Sequence, residues 1–384
     1  MALIAASALG WVIYHYAYDH FAQAAADQEP PKPVNINDPL KASVTALTLI
    51  GAVLAGLYAY RKQLLAEGDA HRADASQLAD RYTTAAEQLG HNQAAVRLAG
   101  VYALARLADD WTEQRQVCID VLCAYLRMPY EPDPSLPSHK EGEREVRHTI
   151  IQVIRDHLQE PDAATAWCLH DFNFTGAVFD GGDFTTSHLR GVVSFSGATF
   201  SGGTVSFDSA TFSGGDVSFS GATFSGGDVG FDHATFSGST VHFTDATFSG
   251  SDVNFDNAKF SGRDVYFSGA TFSGGSVTFT GATFSGRDVH FGGATFSGSI
   301  IYFGRTTFSG RDVYFSGATF SGSNVRFRAA TFSTGTVSFD HATFSAGILT
   351  FPDATFSGST VRFRNATFSG TRFEWGPLPV PAGA

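Results

Sequence analysis

Three arginines, Arg263, Arg287 and Arg311, stand 24 residues apart, and each opens an Arg-Asp-Val triplet. Asp264, Asp288 and Asp312 follow them directly, and three positions after each arginine come Tyr266, His290 and Tyr314. Guanidinium and aromatic side chains are the types enriched at protein interfaces. Brought together by a 24-residue period, they would make a column of cations beside a Tyr/His strip. That is docking chemistry, not bond-breaking chemistry. The rival reading is solvated β-sheet decoration held by local Arg–Asp pairs.

No enzyme pattern competes with it. The chain offers no Gly-rich phosphate loop leading into a helix, no nucleophile elbow and no metal quartet. His148 and His157 lie beside Glu145 and Asp156, but nine residues apart rather than the i, i+4 of a helical metal site. Cys118, Cys123 and Cys168 fit no zinc or redox spacing and read as idle thiols in a reducing compartment. The expectation is a non-enzymatic protein with no catalytic, cofactor-binding or metal-binding residues and no cofactor. A net charge of −12 argues against a nucleic-acid partner.

The elements that position the candidates begin near Leu169. In "FNFTGAVFDGGDFTTSHLRG", Phe174, Phe179, Phe184 and Leu189 stand five apart. The unit then lengthens to twelve, typified by "ATFSGGDVSFSG". Ala-x-Phe and Val-x-Phe each place two side chains on one side of a short extended piece, with one residue facing out between them. The outward residue of Ala-x-Phe is Thr from Thr199 to Thr367, with Lys259 as an exception. The outward residue of Val-x-Phe varies, running Ser218, His242, Tyr266, His290, Tyr314, Ser338, Arg362 in one series. Fixed-period self-similarity marks a solenoid.

Five-residue sides with an apolar centre and a small residue two before it resemble the pentapeptide-repeat family. The resemblance covers just over half the chain and implies a right-handed quadrilateral β-helix with four sides per coil. Phe172 to Gly191 match one standard coil. The rest departs from it: Phe stands for the usual Leu, Thr for the usual Asp or Asn, and alternate corners carry two extra residues. Two twelve-residue units then complete one coil, which accounts for the 24-residue recurrence of Arg-Asp-Val. A flat 12-residue coil is the rival, but it would crowd two Phe per level between walls that need about 10 Å. The resemblance also implies a second function class, since some members mimic DNA and bind a topoisomerase. Thr at the often acidic position, and the three arginines, oppose that role here.

Two apolar runs, Ala2 to Tyr18 and Ala42 to Tyr60, open the chain, and a bilayer core asks for about 20 such residues in a helix. The first is the shorter and carries His15. The loop between them is mainly acidic, whereas Arg61, Lys62, Arg72 and Arg81 follow the second run. The positive-inside rule places the remainder in the cytoplasm. Ala75, Leu78, Tyr82, Ala85 and Leu89 form a narrow seam that pairs two copies in a homodimer or packs on its own domain. Three amphipathic helices follow. The first presents Leu98, Val101, Ala105 and Ala108; the second Val117, Val121, Leu122 and Tyr125 with Thr112 as N-cap; the third Val146, Ile150, Val153, Ile154 and His157.

The expected architecture is an α+β multidomain chain. It has transmembrane helices at 1–18 and 42–60 around an extracytoplasmic loop at 19–41. A juxtamembrane helix follows at 61–90, a small α-helical module at 91–168, the β-solenoid at 169–376 and a tail at 377–384. The expected role is a scaffold on a bacterial inner membrane, held by the lipid bilayer and docking an unidentified protein on Arg263, Tyr266, Arg287, His290, Arg311 and Tyr314. A surface adhesin follows instead if the topology is inverted.

Overall fold

The computed structural model describes residues 2–33 and 35–380, with the side chains at residues 2–4 and 68–73 excepted; Arg72, one of the cations that set the expected orientation, is among those exceptions. The chain divides into two units, Met1–Ala79 and Asp80–Ala384.

In the first unit, helix α1 spans Ala2–Ala26, and helix α2 starts at Asn37 and continues without a break to Leu89. Among the described residues one stretch, Asn37–Glu67, is long and apolar enough to cross a bilayer. This corrects the expectation of two spans. The run from Ala2 to Tyr18 does fold as helix, but Tyr14, His15, Tyr16 and Tyr18, with Asp19 beyond, dilute it below the hydropathy that a span requires. The α2 stretch shows what a span needs: Leu49, Val53 and Leu54 all stand exposed.

In the second unit, the end of α2 packs on its own chain. Ala85 and Leu89 of the seam are buried, and α3 (Ala94–Asp110) approaches so closely that a Cβ on Gly100 would lie 2.5 Å from the Leu89 nitrogen. Helices α4 (Arg115–Arg127) and α5 (Glu143–Asp156) complete the module. The stripe expected on α4 holds at Leu122 and Tyr125, which are buried, but not at Val117. Val117 is 42% exposed, and Cys118, Ile119, Leu122, Cys123 and Leu126 are buried. The reason is that α4 touches α3, α5 and the first solenoid strand at once, so its apolar face is wider than a two-helix seam. Thr112 makes no capping bond; it opens a 3-10 turn, Thr112–Gln114, ahead of α4. On α5, Val146, Ile150, Val153 and Ile154 are buried as their period requires.

From Phe172 the chain visits four parallel sheets in rotation, with nine, nine, nine and eight strands. Sheet I starts at Phe172–Asn173, sheet II at Val178–Phe179, sheet III at Gly182–Asp183 and sheet IV at His188–Leu189. Register fixes the period. Thr223 pairs with Thr247, Val241 with Val265 and Phe236 with Phe260, so residues 24 apart are neighbours. The first coil is shorter, Phe172 pairing with Val193. The 12-residue coil is thereby excluded, because residues twelve apart fall on different sheets.

Inside run ladders of phenylalanine. Phe219, Phe243, Phe267 and Phe291 stack with centroids 4.9, 4.8 and 4.8 Å apart and planes within 4° of parallel. Across the interior, Phe267 meets Phe279 edge-on at 5.7 Å and 89°. Both geometries suit the ring quadrupole. Corners do the bending. The residue before each Ala recurs at positive φ, as at Asp245, Asn257 and Gly269, which explains why Gly, Asn and Asp gather there. At the other corner, Gly335 has φ +77°, and a Cβ there would meet the Arg311 carbonyl oxygen at 1.6 Å, so this rung, unlike the three before it, admits no side chain at that position.

The module covers the solenoid's first strands. Leu158 and Cys168 carbonyls accept from the His188 and Arg190 amides at 2.9 and 2.7 Å, so the first strand of sheet IV is not left open. The buried Arg147 donates to the Val178 carbonyl of sheet II at 3.2 Å, and Ile151 packs on Gly182 of sheet III. Asp180 locks the junction: Tyr130 Oη donates to it at 2.7 Å, Arg144 Nε at 2.9 Å and His148 Nε2 at 2.9 Å. At the far end Trp375 stacks on Phe373 at 4.4 Å, while Phe363, Phe368 and Phe373 stay half-buried.

Candidate docking face on the solenoid

Sheet I gathers the outward residues that the 24-residue period predicts. His242 is in register with Tyr266, Tyr266 with His290 and His290 with Tyr314. Their rings form one continuous stack, with centroids 5.1, 4.5 and 5.1 Å apart and interplanar angles of 5°, 8° and 15°. Each ring lies half-buried against its neighbours, so the stack presents ring edges outward. Parallel β-strands impose this: equivalent positions on successive rungs sit one strand spacing apart, close to an aromatic stacking distance. His242, absent from the six candidates, belongs to the same stack; its place in the 24-residue series was the signal.

Arg263, Arg287 and Arg311 stand at one corner, preceding the sheet I strands. The Arg287 amide donates to the Arg263 carbonyl at 3.2 Å and the Arg311 amide to the Arg287 carbonyl at 3.0 Å, which holds the three in register. All three side chains are exposed, and among the described residues none pairs with a carboxylate. The local Arg–Asp pairs of the rival reading are thus not what the aspartates do. Asp264 accepts from the Asp288 amide at 3.0 Å, Asp288 from the Asp312 amide at 3.0 Å, and Asp312 from the Thr336 amide at 2.5 Å. Each aspartate is a clip binding the next coil's backbone where the strand ladder lapses. Sequence reasoning saw Asp as a partner of Arg because the two are adjacent. The amide that lacks a ladder partner one coil later is visible only in three dimensions.

The clips leave one carboxylate oxygen for the rings. Tyr314 Oη donates to Asp312 at 2.8 Å and Tyr266 Oη to Asp264 at 3.4 Å. The hydrogen bond to Asp312, with burial, pushes the Tyr314 phenol up to about 12. Burial, then the Asp264 charge, raises Tyr266, and burial lowers His290 despite the nearby Asp288 and Asp264. At Tyr266, His290 and Tyr314 the neutral form of the ring is therefore favoured, beside guanidiniums free of carboxylate partners.

The two remaining histidines of interest lie elsewhere. His148 serves the Asp180 lock, and His157 stacks on Trp167 at 4.1 Å with Nε2 3.2 Å from Asp109. Burial pushes the Cys118 thiol up to about 11, Cys123 to about 12, and Cys168 upward as well. They act as small apolar fillers.

A family model described as Pentapeptide repeats matches nine copies in the chain, among them residues 184–235, 255–307 and 279–331. No curated protein and no solved structure matches. Register, four-sheet rotation and this match agree: the β-solenoid belongs to the pentapeptide-repeat family.

Proposed function

We propose that this chain is a non-enzymatic, membrane-anchored scaffold that docks an acidic segment of a protein partner on sheet I. The observation that carries it is the column of Arg263, Arg287 and Arg311, exposed and free of carboxylate partners beside a four-ring stack. Charge at a rim sets encounter rate and orientation, and aromatic edges supply contact area at low entropic cost. Other Asp residues along the solenoid spend their charge on the next coil's amides, so the arginines are left to attract an anion from outside. Phe ladders and coil-spanning hydrogen bonds give the face a rigid backing, which suits a scaffold.

The stretch Asn37–Glu67 supports a single-span anchor. Arg61 and Lys62 near its far end favour a cytoplasmic side for the helical module and the solenoid, as in a bacterial plasma membrane. The four sheets visited in rotation support the right-handed quadrilateral coil that the resemblance implies, parallel crossovers being right-handed in nearly all sheets.

In-cell photocrosslinking from position 290 tests the docking reading, with position 278 on sheet III as its control. A discrete adduct is expected from 290 and none from 278, and replacing Arg263, Arg287 and Arg311 together by serine is expected to abolish it. Equal adducts from both faces, or an adduct indifferent to the arginines, would defeat the proposal.

A further inference from the structure

The ring stack repeats a rule and breaks it once. At positions 266 and 314 a phenol donates to the aspartate two residues earlier on its own rung. At the rung between, His290 takes the phenol's place, and among the described residues neither ring nitrogen has a hydrogen-bond partner. Asp288 on the same rung spends Oδ1 on the Asp312 amide, and Asp264 one coil earlier spends Oδ1 on the Asp288 amide. The donor atoms of Asp264, Asp288 and His290 all lie within 4.8 Å of one another, and all three residues are half-buried. Stacking on Tyr266 at 4.5 Å and on Tyr314 at 5.1 Å fixes the plane of the imidazole. No arginine neutralises either carboxylate.

We propose that His290, Asp288 and Asp264 form a binding site for one divalent transition-metal ion of the Zn2+ class. The donor set decides the class. An imidazole nitrogen with two carboxylate oxygens suits Zn2+, Co2+ or Mn2+, whereas Ca2+ and Mg2+ sites are built from oxygen. Three protein ligands leave a coordination position open to water or to a ligand from outside. His242 in the same stack is a built-in contrast, since Thr240 stands where its rung would need an aspartate. The spacing 264, 288, 290 matches no linear motif and becomes a cluster only when the chain closes a coil every 24 residues.

The test is calorimetric titration of the untagged full-length chain with Zn2+ alone, repeated with Co2+ and read by its visible absorption. One ion per chain is expected. His290→Tyr continues the neighbouring Tyr rungs and so preserves the stack; it is expected to weaken binding by more than the about tenfold that loss of an outer-shell partner costs. Asp288→Asn, which keeps an acceptor for the Asp312 amide, is expected to do the same, and His242→Tyr to leave binding unchanged. The proposal is overturned if the wild-type chain takes up no stoichiometric metal, if His290→Tyr binds as tightly as wild type, or if His242→Tyr loses as much. No docking partner enters the titration, so its failure leaves the docking reading standing, and the converse holds.

Discussion

Replacing Phe267 by alanine is expected to destabilise the solenoid by about 3–5 kcal/mol, the usual cost of truncating a fully buried Phe. Phe267 is 0% exposed, sandwiched between Phe243 and Phe291 at 4.8 Å on each side and met edge-on by Phe279. Its ladder runs through parallel strands whose backbones cannot close inward without breaking their pairing with two neighbours, so the cavity would persist. A solenoid's stability is a sum over neighbouring coils, so the damage is local. Amide exchange in the two flanking coils is expected to rise roughly a hundred- to several-thousandfold, with the helical module much less affected. The contrast is Phe373→Ala at the half-buried C-terminal end, where less apolar area is removed from contact and a cost of about 1 kcal/mol is expected. Equal effects at the two sites would show that the interior is not a close-packed ladder.

The second large effect concerns Asp180, where the module grips the first coil. Burial by itself would raise this carboxyl, but bonds from His148, Tyr130 and Arg144 outweigh it and bring it down from 3.8 to about 2. A depressed carboxylate contributes stability that is complete above its unfolded value and disappears as pH falls through its folded value. Here the window runs from about pH 4 down to about pH 2. Asp180→Asn is expected to cost about 2–3 kcal/mol at pH 6, the range for hydrogen bonds to a charged acceptor. Wild type and variant are expected to converge as the pH drops through that window. Denaturant melts of both proteins at a series of pH values provide the check. A gap that persists unchanged at pH 2 would mean that the carboxylate charge is not what holds the junction.

What the sequence discloses depends on how each feature is encoded. The coil length was legible because two periods, twelve and 24, coexist in the chain, and only a two-unit coil accommodates both. The Phe ladders followed from Val-x-Phe and Ala-x-Phe. The strip of Tyr266, His290 and Tyr314 followed from adding 24 repeatedly. The aspartate clips did not, because their partner amides lie a full coil away. Arg97, Arg147 and Glu143 were also illegible. Charged residues on helices read as surface, yet all three are buried, with Arg97 3.4 Å from Glu143 and Tyr125 donating to the same carboxylate at 2.9 Å. The α4 stripe was right at Leu122 and Tyr125 and wrong at Val117, because a helix touched on three sides has no single apolar line. The first apolar run was overcounted as a span because helix formation and bilayer insertion ask different things of a sequence: His15 and its tyrosines are tolerated by the one and penalised by the other.

All of the surface reasoning rests on residues 24 apart lying one strand spacing apart. Pulsed electron–electron distance measurement settles this with spin labels at Thr223 and Thr343, both outward on sheet II and linked through five successive rungs. Cys118, Cys123 and Cys168 are buried, and replacing them by alanine leaves only the introduced thiols to react. Five rungs predict a separation of about 24 Å between label sites. A distance near 48 Å, as ten twelve-residue coils would give, would contradict the four-sheet coil and dissolve both the arginine column and the proposed metal site.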